Sequence, residues 1–306
     1  MMGILVSVKK WLLVERYLYW IRKDKEKMSF IRQLSIMSAE DTIDFIIKNR
    51  CNVSRFGDGE FYLASGASNG FQKPDKRLSK MLRDTLATSH KDLLLCVPIS
   101  LTTLNGLTVH SKLFITEFIH NHLNDAVMPY VSLDERYGDS LFTRFYMSKS
   151  IKSTHRMRAY VDKLKSIWNN QDVLLVEGEF SRNGVGNDLF DNAKSLERIL
   201  CPVKDAFNKY DEILSSIRLH GKGKLVLMAL GMTATVLAKD LLVDGIWAID
   251  LGHIDTEYEW FRMKAKKKVA ISYKIVNEVA DKGDYQYLPE GREYQKYKNQ
   301  IIDIIK

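Results

Sequence analysis

Apolar residues recur along this chain in two periods. Leu78, Met81, Leu82 and Leu86 fall on one face of a helix predicted over residues 75–88. Ser38 followed by Asp41 is a capping signal and predicts a helix running through Ile47. Val203, Ala206, Phe207, Tyr210, Ile213, Leu214 and Ile217 draw a longer helical stripe. Leu189, Ala193, Leu196 and Ile199 predict a helix over 188–200, and residues 233–242 predict another. Between these lie short continuous apolar runs that predict buried strands, at 93–98, 126–132, 172–176, 224–230 and 246–251. A short extended run at 52–56 leads into glycines. Strands alternating with helices imply right-handed crossovers and an α/β, Rossmann-like architecture. Its sheet is mainly parallel, with helices on both faces, in a single domain. Ligands bind such sheets beyond the carboxyl ends of the strands.

The first residues follow a different pattern. Ile4, Val8, Trp11, Val14, Leu18 and Ile21 recur at three- and four-residue spacing, with Tyr17, Tyr19 and Trp20 around them. Lys9, Lys10, Glu15 and Arg16 interrupt the run, which makes it a poor membrane-spanning helix. No small-residue cleavage site follows, which argues against a signal peptide. Residues 1–27 hold seven Lys/Arg and three Asp/Glu, a net +4. Aromatic and basic residues on one amphipathic helix suit a membrane surface, and equally a helix packed on the domain or on a partner subunit. The chain is therefore divided into a basic, aromatic helical segment, 1–36, and the α/β domain, 37–306.

Composition narrows the classes. With 306 residues, 45% hydrophobic, the chain can bury a large core. Five prolines and no low-complexity tract leave no sign of a linker. The +8 charge suits anionic partners without choosing among them. No helix-turn-helix, RNP-type or zinc-finger pattern supports specific nucleic-acid binding. Three scattered cysteines fit a reducing compartment, and the histidines lack zinc spacing, so no structural zinc is expected. The expected location is cytoplasmic, with peripheral contact at the inner face of the membrane through residues 1–27.

Candidate chemistry clusters at the predicted strand ends. Asp58 and Glu60 flank Gly59 just after the 52–56 run. Two converging carboxylates suit Mg²⁺ or Mn²⁺, which keep other positions for water and phosphates; an acidic surface turn is the plainer reading. Glu179 to Asp188, with Arg182, Gly184, Gly186 and Asn187, is a glycine-containing loop that is expected to enter a helix. Arg182 has the planar fork for a diphosphate, and Asn187 and Asp188 suit capping or a nucleoside. Gly231, Thr233 and Thr235 sit between a strand and a helix, where free N–H groups favour a phosphate or a threonine merely caps the helix. His253, Asp255, Glu257 and Glu259 offer a third metal ligand or a general base, and Asp255 and Glu259 share a face if the segment is helical. Thr143 to Tyr146 adds Arg144 and a ring, read as surface packing.

Taken together these motifs resemble the GT-D-fold glycosyltransferases, formerly DUF1792. The resemblance rests on 55–60, 177–192, 198–200, 231–238 and 252–260, with Lys274 and Asn277-Glu278 as a closing motif, in consistent order over about residues 38–280. Met232 departs from the proline expected in its turn. The resemblance implies transfer of a sugar, glucose in the best-known member, from a UDP-sugar donor to a glycan or glycoconjugate acceptor in bacterial glycan assembly. It implies a divalent metal on Asp58 and Glu60, and a donor site drawing on Arg55, Arg182, Gly184, Gly186, Asn187, Asp188, Gly231, Thr233 and Thr235. It implies inversion at the anomeric carbon. Glu259 is the first candidate for the base, with His253 and Glu257 as alternatives. Acceptor contacts are expected in loops such as 62–75 and 99–111. A metal-dependent hydrolase of nucleotide-sugars or phosphate esters is the alternative that uses the same carboxylates.

Overall fold

The computed structural model describes residues 2–67, 72–281, 283–288 and 290–306; part of the 62–75 loop lies outside the described residues. Two helices open the chain, α1 (Met2–Lys23) and α2 (Lys25–Gln33). β1 (Ser35–Ile36) and α3 (Ala39–Asn49) follow, with the Ser38 hydroxyl accepting from the Asp41 N–H as its sequence signal requires. The first half continues with β2 (Asn52–Arg55), α4 (Asp58–Ala64), α5 (Lys76–Leu86), β3 (Leu93–Val97), α6 (Val109–His122), β4 (Arg136–Asp139) and α7 (Thr154–Lys165). The second half holds β5 (Asp172–Gly178), β6 (Ser195–Cys201), α8 (Tyr210–His220), β7 (Leu225–Ala229), α9 (Met232–Asp240), β8 (Ala248–Asp250), α10 (Ile254–Arg262), α11 (Arg292–Gln300) and β9 (Ile301–Ile304).

Among the described residues nine strands form one sheet in the order β1-β4-β3-β2-β8-β7-β5-β6-β9, and each of these strand pairings is parallel. The interior strands are almost wholly apolar because both faces are covered. One apolar core packs α1, α2, α4, α5, α6, α8 and α9 on one face; the other packs α3, α7 and α10 on the opposite face. β2 and β8 are neighbours, in register at Val53 and Ile249. The helix after β2 lies on the first face and the helix after β8 on the second. The chain therefore parts between β2 and β8, and a crevice opens at their carboxyl ends.

Three expectations fail. Residues 126–132 form no strand: Leu123–Val127 is a π-helical turn finishing α6, and Ala126, Val127 and Val131 are buried beneath it. A short apolar run does not tell strand from buried turn. Residues 188–200 form no helix; their last six belong to β6, which pairs with β5 along seven residues. Sheet pairing there overrides a helical spacing that arose by coincidence. Asp58 and Glu60 lie in the first turn of α4, not on a glycine turn.

Segment 1–36 joins the same core as the rest. Val14 and Ile21 of α1 are buried, α1 lies along α6, and Phe30 and Leu34 enter the first apolar cluster.

Candidate active site

The carboxyl ends of β2 and β8 meet through one arginine. Arg55 ends β2 and donates to the Ser140 carbonyl at 2.9 Å, Thr143 Oγ1 at 2.7 Å and Asp250 Oδ1 at 3.2 Å. Gly252 has a left-handed φ of +52°, and a Cβ there would lie 1.8 Å from Arg55 Nη2, so only glycine admits this guanidinium. Thr235 lies 3.2 Å from Asp250 Oδ2 and 3.0 Å from the Arg55 carbonyl, tying α9 to the same point.

Above this floor α4 begins. Glu60 Oε2 accepts from the Gly57 N–H at 2.8 Å, so this carboxylate turns back to cap its own helix. Its pKa is pushed up to about 7, chiefly by burial and then by Asp250 and Asp58. Asp58 is exposed, and its carboxyl is also raised, by desolvation first. Arg144 and Glu278 both act on it. Arg144 Nη1 lies 2.5 Å from Glu278 Oε1, and His253 Nδ1 lies 3.6 Å from the same oxygen. Lys268 closes on the other Glu278 oxygen. Burial would raise the Glu278 carboxyl, but Arg144, His253 and Lys268 outweigh it and hold the pKa down to about 2. His253 is lowered to about 3, by desolvation and then by Arg144. At the start of α9 the Thr233 hydroxyl is buried without a partner.

A second cluster lies beside the first and is sealed. Lys274, Asp255 and Glu259 are almost fully buried. Lys274 Nζ lies 2.7 Å from Asp255 Oδ2 and 3.3 Å from Glu259 Oε1. Asn187 Nδ2 donates to Asp255 at 2.8 Å and to Glu259 at 2.6 Å, and the Gly184 N–H donates to Asp255 at 2.7 Å. These bonds fasten the 182–188 loop to α10. Buried charges need such partners, and here each has one.

The sequence profile described as "Glycosyltransferase GT-D fold" matches residues 53–279. The chain belongs to the GT-D glycosyltransferase family. A probable glycosyl transferase, Gly, of Streptococcus gordonii is 37% identical over 272 residues, covering 89% of this chain and 39% of that protein. Glycosyltransferase GlyD of Streptococcus pneumoniae serotype 4 is 37% identical over the same length, covering 88% and 32%. The chain thus spans between about a third and two fifths of the length of these curated relatives. A solved structure described as the domain of unknown function 1792 with a distinct glycosyltransferase fold superposes with TM-score 0.80 at 36% identity, over 92% of this chain and 99% of that one. Another, a glycosyltransferase (DUF1792) from Streptococcus sanguinis, gives 0.77 at 36% identity, over 89% and 100%.

Within this member of the GT-D glycosyltransferase family the expected site residues divide. Asp58, Glu60, Arg55, Thr233, Thr235 and His253 gather at the β2–β8 crevice, with Gly231 capping α9. Arg182 is instead engaged with backbone, its guanidinium donating to the carbonyls of Tyr273, Tyr285 and Gln286. No helix follows the 182–188 loop for Asn187 or Asp188 to cap; Asp188 accepts from the Tyr258 hydroxyl and from Lys165. The Gly186 carbonyl accepts from Arg262. Glu257 Oε2 accepts from the Tyr146 and Met147 N–H groups at 2.8 Å each. Glu259 belongs to the sealed cluster. Arg144 and Glu278 were read as surface packing and as part of a closing motif, and they stand beside Asp58. Their distance in sequence hides the pairing; the signal was the family motif around Asn277 and Glu278.

Proposed function

We propose that this chain transfers a sugar, glucose by its family resemblance, from a UDP-sugar to a hydroxyl of a glycan or glycoconjugate acceptor in bacterial surface glycan or glycoprotein assembly. The observation carrying this reading is the exposed Asp58 at the crevice between β2 and β8, facing Arg144 and Glu278. A sugar diphosphate needs such a place, where a carboxylate, a fixed guanidinium and a helix start converge.

The residues suit Mn²⁺ or Mg²⁺. After burial, Asp250 and Asp58 raise the Glu60 carboxyl, while Arg55 offsets part of the charge on Asp250, leaving negative charge to be neutralised. Among the described residues no group of three or more His, Cys, Asp and Glu side chains forms a metal cage. Mg²⁺ and Mn²⁺ can be held by one or two carboxylates plus substrate phosphates. Asp58 and Glu60 would hold it, and it would supply charge neutralisation of the departing diphosphate.

The chain's own groups do the rest. The α9 N-terminus, with Gly231 and the unpartnered Thr233 hydroxyl, binds a phosphate. Arg144, whose charge Glu278 and Glu257 maintain against burial, faces the charge that develops as the anomeric C–O bond breaks. The acceptor oxygen bonds to the anomeric carbon from the opposite side, with inversion, and its proton passes to a base. His253 is that base in this proposal, because Glu257 and Glu259 are engaged elsewhere. The imidazole is neutral in the empty site, and the donor's negative charge raises its basicity when bound. Glu278, 3.6 Å from Nδ1, stabilises the imidazolium that forms. Buried thiols at Cys51, Cys96 and Cys201 agree with work in the reducing cytoplasm.

The test is UDP release from UDP-glucose with Mn²⁺, with and without a glycan acceptor. Release that needs the acceptor supports transfer, and release with water alone supports the hydrolase. His253→Gln is expected to lower turnover by at least about 100-fold, the usual worth of a general base. Normal turnover in His253→Gln, with loss confined to a correctly folded Glu259→Gln, would return the role to Glu259.

A further inference from the structure

The first helix is apolar on two sides, and the domain uses only one. Val14 and Ile21 are buried against the core. Tyr17 completes that seam: its hydroxyl lies 3.3 Å from Glu117 and its ring 5.3 Å from that of His120 on α6. The remaining arc of α1 faces solvent. Trp11 is 52% exposed, Leu12 57%, Tyr19 53% and Trp20 51%. Large aromatic side chains in water at this density are uncommon on a surface with nothing to meet.

Cations are interleaved with these rings. Lys9, Arg16, Arg22 and Lys23 are exposed on the same helix, and Glu15 is the one acid among residues 6–23. Lys23 lies 5.7 Å from the Tyr19 ring, and Tyr19 sits edge-on to Trp20 at 5.2 Å. No helix among the described residues is long and apolar enough to cross a membrane. At 22 residues α1 is about 33 Å long, enough to lie flat along a surface.

We propose that the exposed face of α1 docks the enzyme on an anionic lipid bilayer, the helix lying in the plane of the interface. Leu12 and Tyr19, opposite the buried Val14 and Ile21, face the boundary between headgroups and acyl chains, Trp11 and Trp20 flank them at the level of the interface, and Lys9, Arg16, Arg22 and Lys23 meet lipid phosphates. A second copy of the chain is the weaker occupant. A two-fold interface brings the same patch onto itself and would set these cations against one another. The anchored helix is also linked to the crevice. Tyr62 of α4 packs edge-on against Phe118 at 5.6 Å and His122 at 5.0 Å, both on α6, and α4 begins at Asp58. Docking through α1 therefore holds the sugar-transfer site two helices above the lipid.

The experiment uses the full chain and sedimented vesicles, one set of phosphatidylcholine alone and one of phosphatidylcholine mixed with phosphatidylglycerol, at low and high salt. Tryptophan emission is recorded alongside, and size-exclusion chromatography is run without lipid. Expected are cosedimentation with the anionic vesicles only, loss of binding at high salt, and a blue shift of the emission. Lys9→Gln with Arg16→Gln is expected to weaken partitioning by about 25-fold, roughly fivefold for each charge. Trp11→Ser with Trp20→Ser is expected to weaken it by at least about tenfold. Both pairs alter exposed side chains and should leave the melting temperature and UDP-glucose turnover as in the parent. Absence of binding to anionic vesicles, or unchanged binding in both variants, overturns the proposal. So does self-association without lipid that the tryptophan pair abolishes, which would make a second copy the occupant.

Discussion

Glu60 gives the sharpest test of the crevice electrostatics. Its folded pKa is about 7 against an ordinary 4.5, chiefly through burial and then through Asp250 and Asp58. An acid whose pKa is raised by folding binds its proton more tightly in the native state. Its contribution is complete below about pH 4.5 and is lost as pH rises through about 7. At about 1.4 kcal/mol per unit the full loss is about 3.5 kcal/mol; water on the open side of the crevice trims it to roughly 1–3 kcal/mol. Glu60→Gln removes the titration and keeps an amide oxygen able to accept from the Gly57 N–H. Urea unfolding with a chelator present should find the variant close to the parent at pH 5 and more stable by roughly 1–3 kcal/mol at pH 8. Adding Mn²⁺ with UDP should narrow the gap at pH 8, because the cation meets an ionised Glu60 in the parent and a neutral amide in the variant and so stabilises the parent more. Parallel stabilities from pH 5 to pH 8 would show that Glu60 ionises freely, and the case for a strained carboxylate site would fail.

Two further predictions follow from single contacts. Lys274→Met strands the buried Asp255 and Glu259 carboxylates, and urea unfolding should show a loss of about 3–5 kcal/mol; a loss under about 1 kcal/mol would mean water already solvates the cluster. Gly252→Ala drives a Cβ onto the Arg55 guanidinium at a left-handed backbone position, so the Arg55–Asp250 pair breaks. A stability loss of about 1–3 kcal/mol is expected, with weaker protection by UDP-glucose in thermal unfolding.

The sequence exposed what depends on local chemistry and concealed what depends on distant pairing. The Ser38 cap, the buried strands at 93–97 and 225–229 and the helix after Gly231 were legible because each is specified within a few residues. β6 was not, because its stabilisation comes from β5 and β9 rather than from its own spacing. The same division runs through the site. Asp58 and His253 announced themselves by motif. Arg144 was dismissed because nothing near it in sequence shows that Glu278, 134 positions later, completes it. Nothing near Glu259 in sequence shows that Asn187 and Lys274 bond to it, because both are likewise remote.

Arg182 has a consequence that its charge alone would not suggest. One guanidinium holds the carbonyls of Tyr273 and Tyr285, pinching off a loop of about twelve residues. Glu278 lies inside that loop and reaches Arg144 and His253 from it. The arginine thus works as a clasp on a hanging strap: released, the strap has far more places to go, and the carboxylate it carries arrives beside Asp58 only some of the time. Donor affinity would then vary with how firmly Arg182 holds that segment.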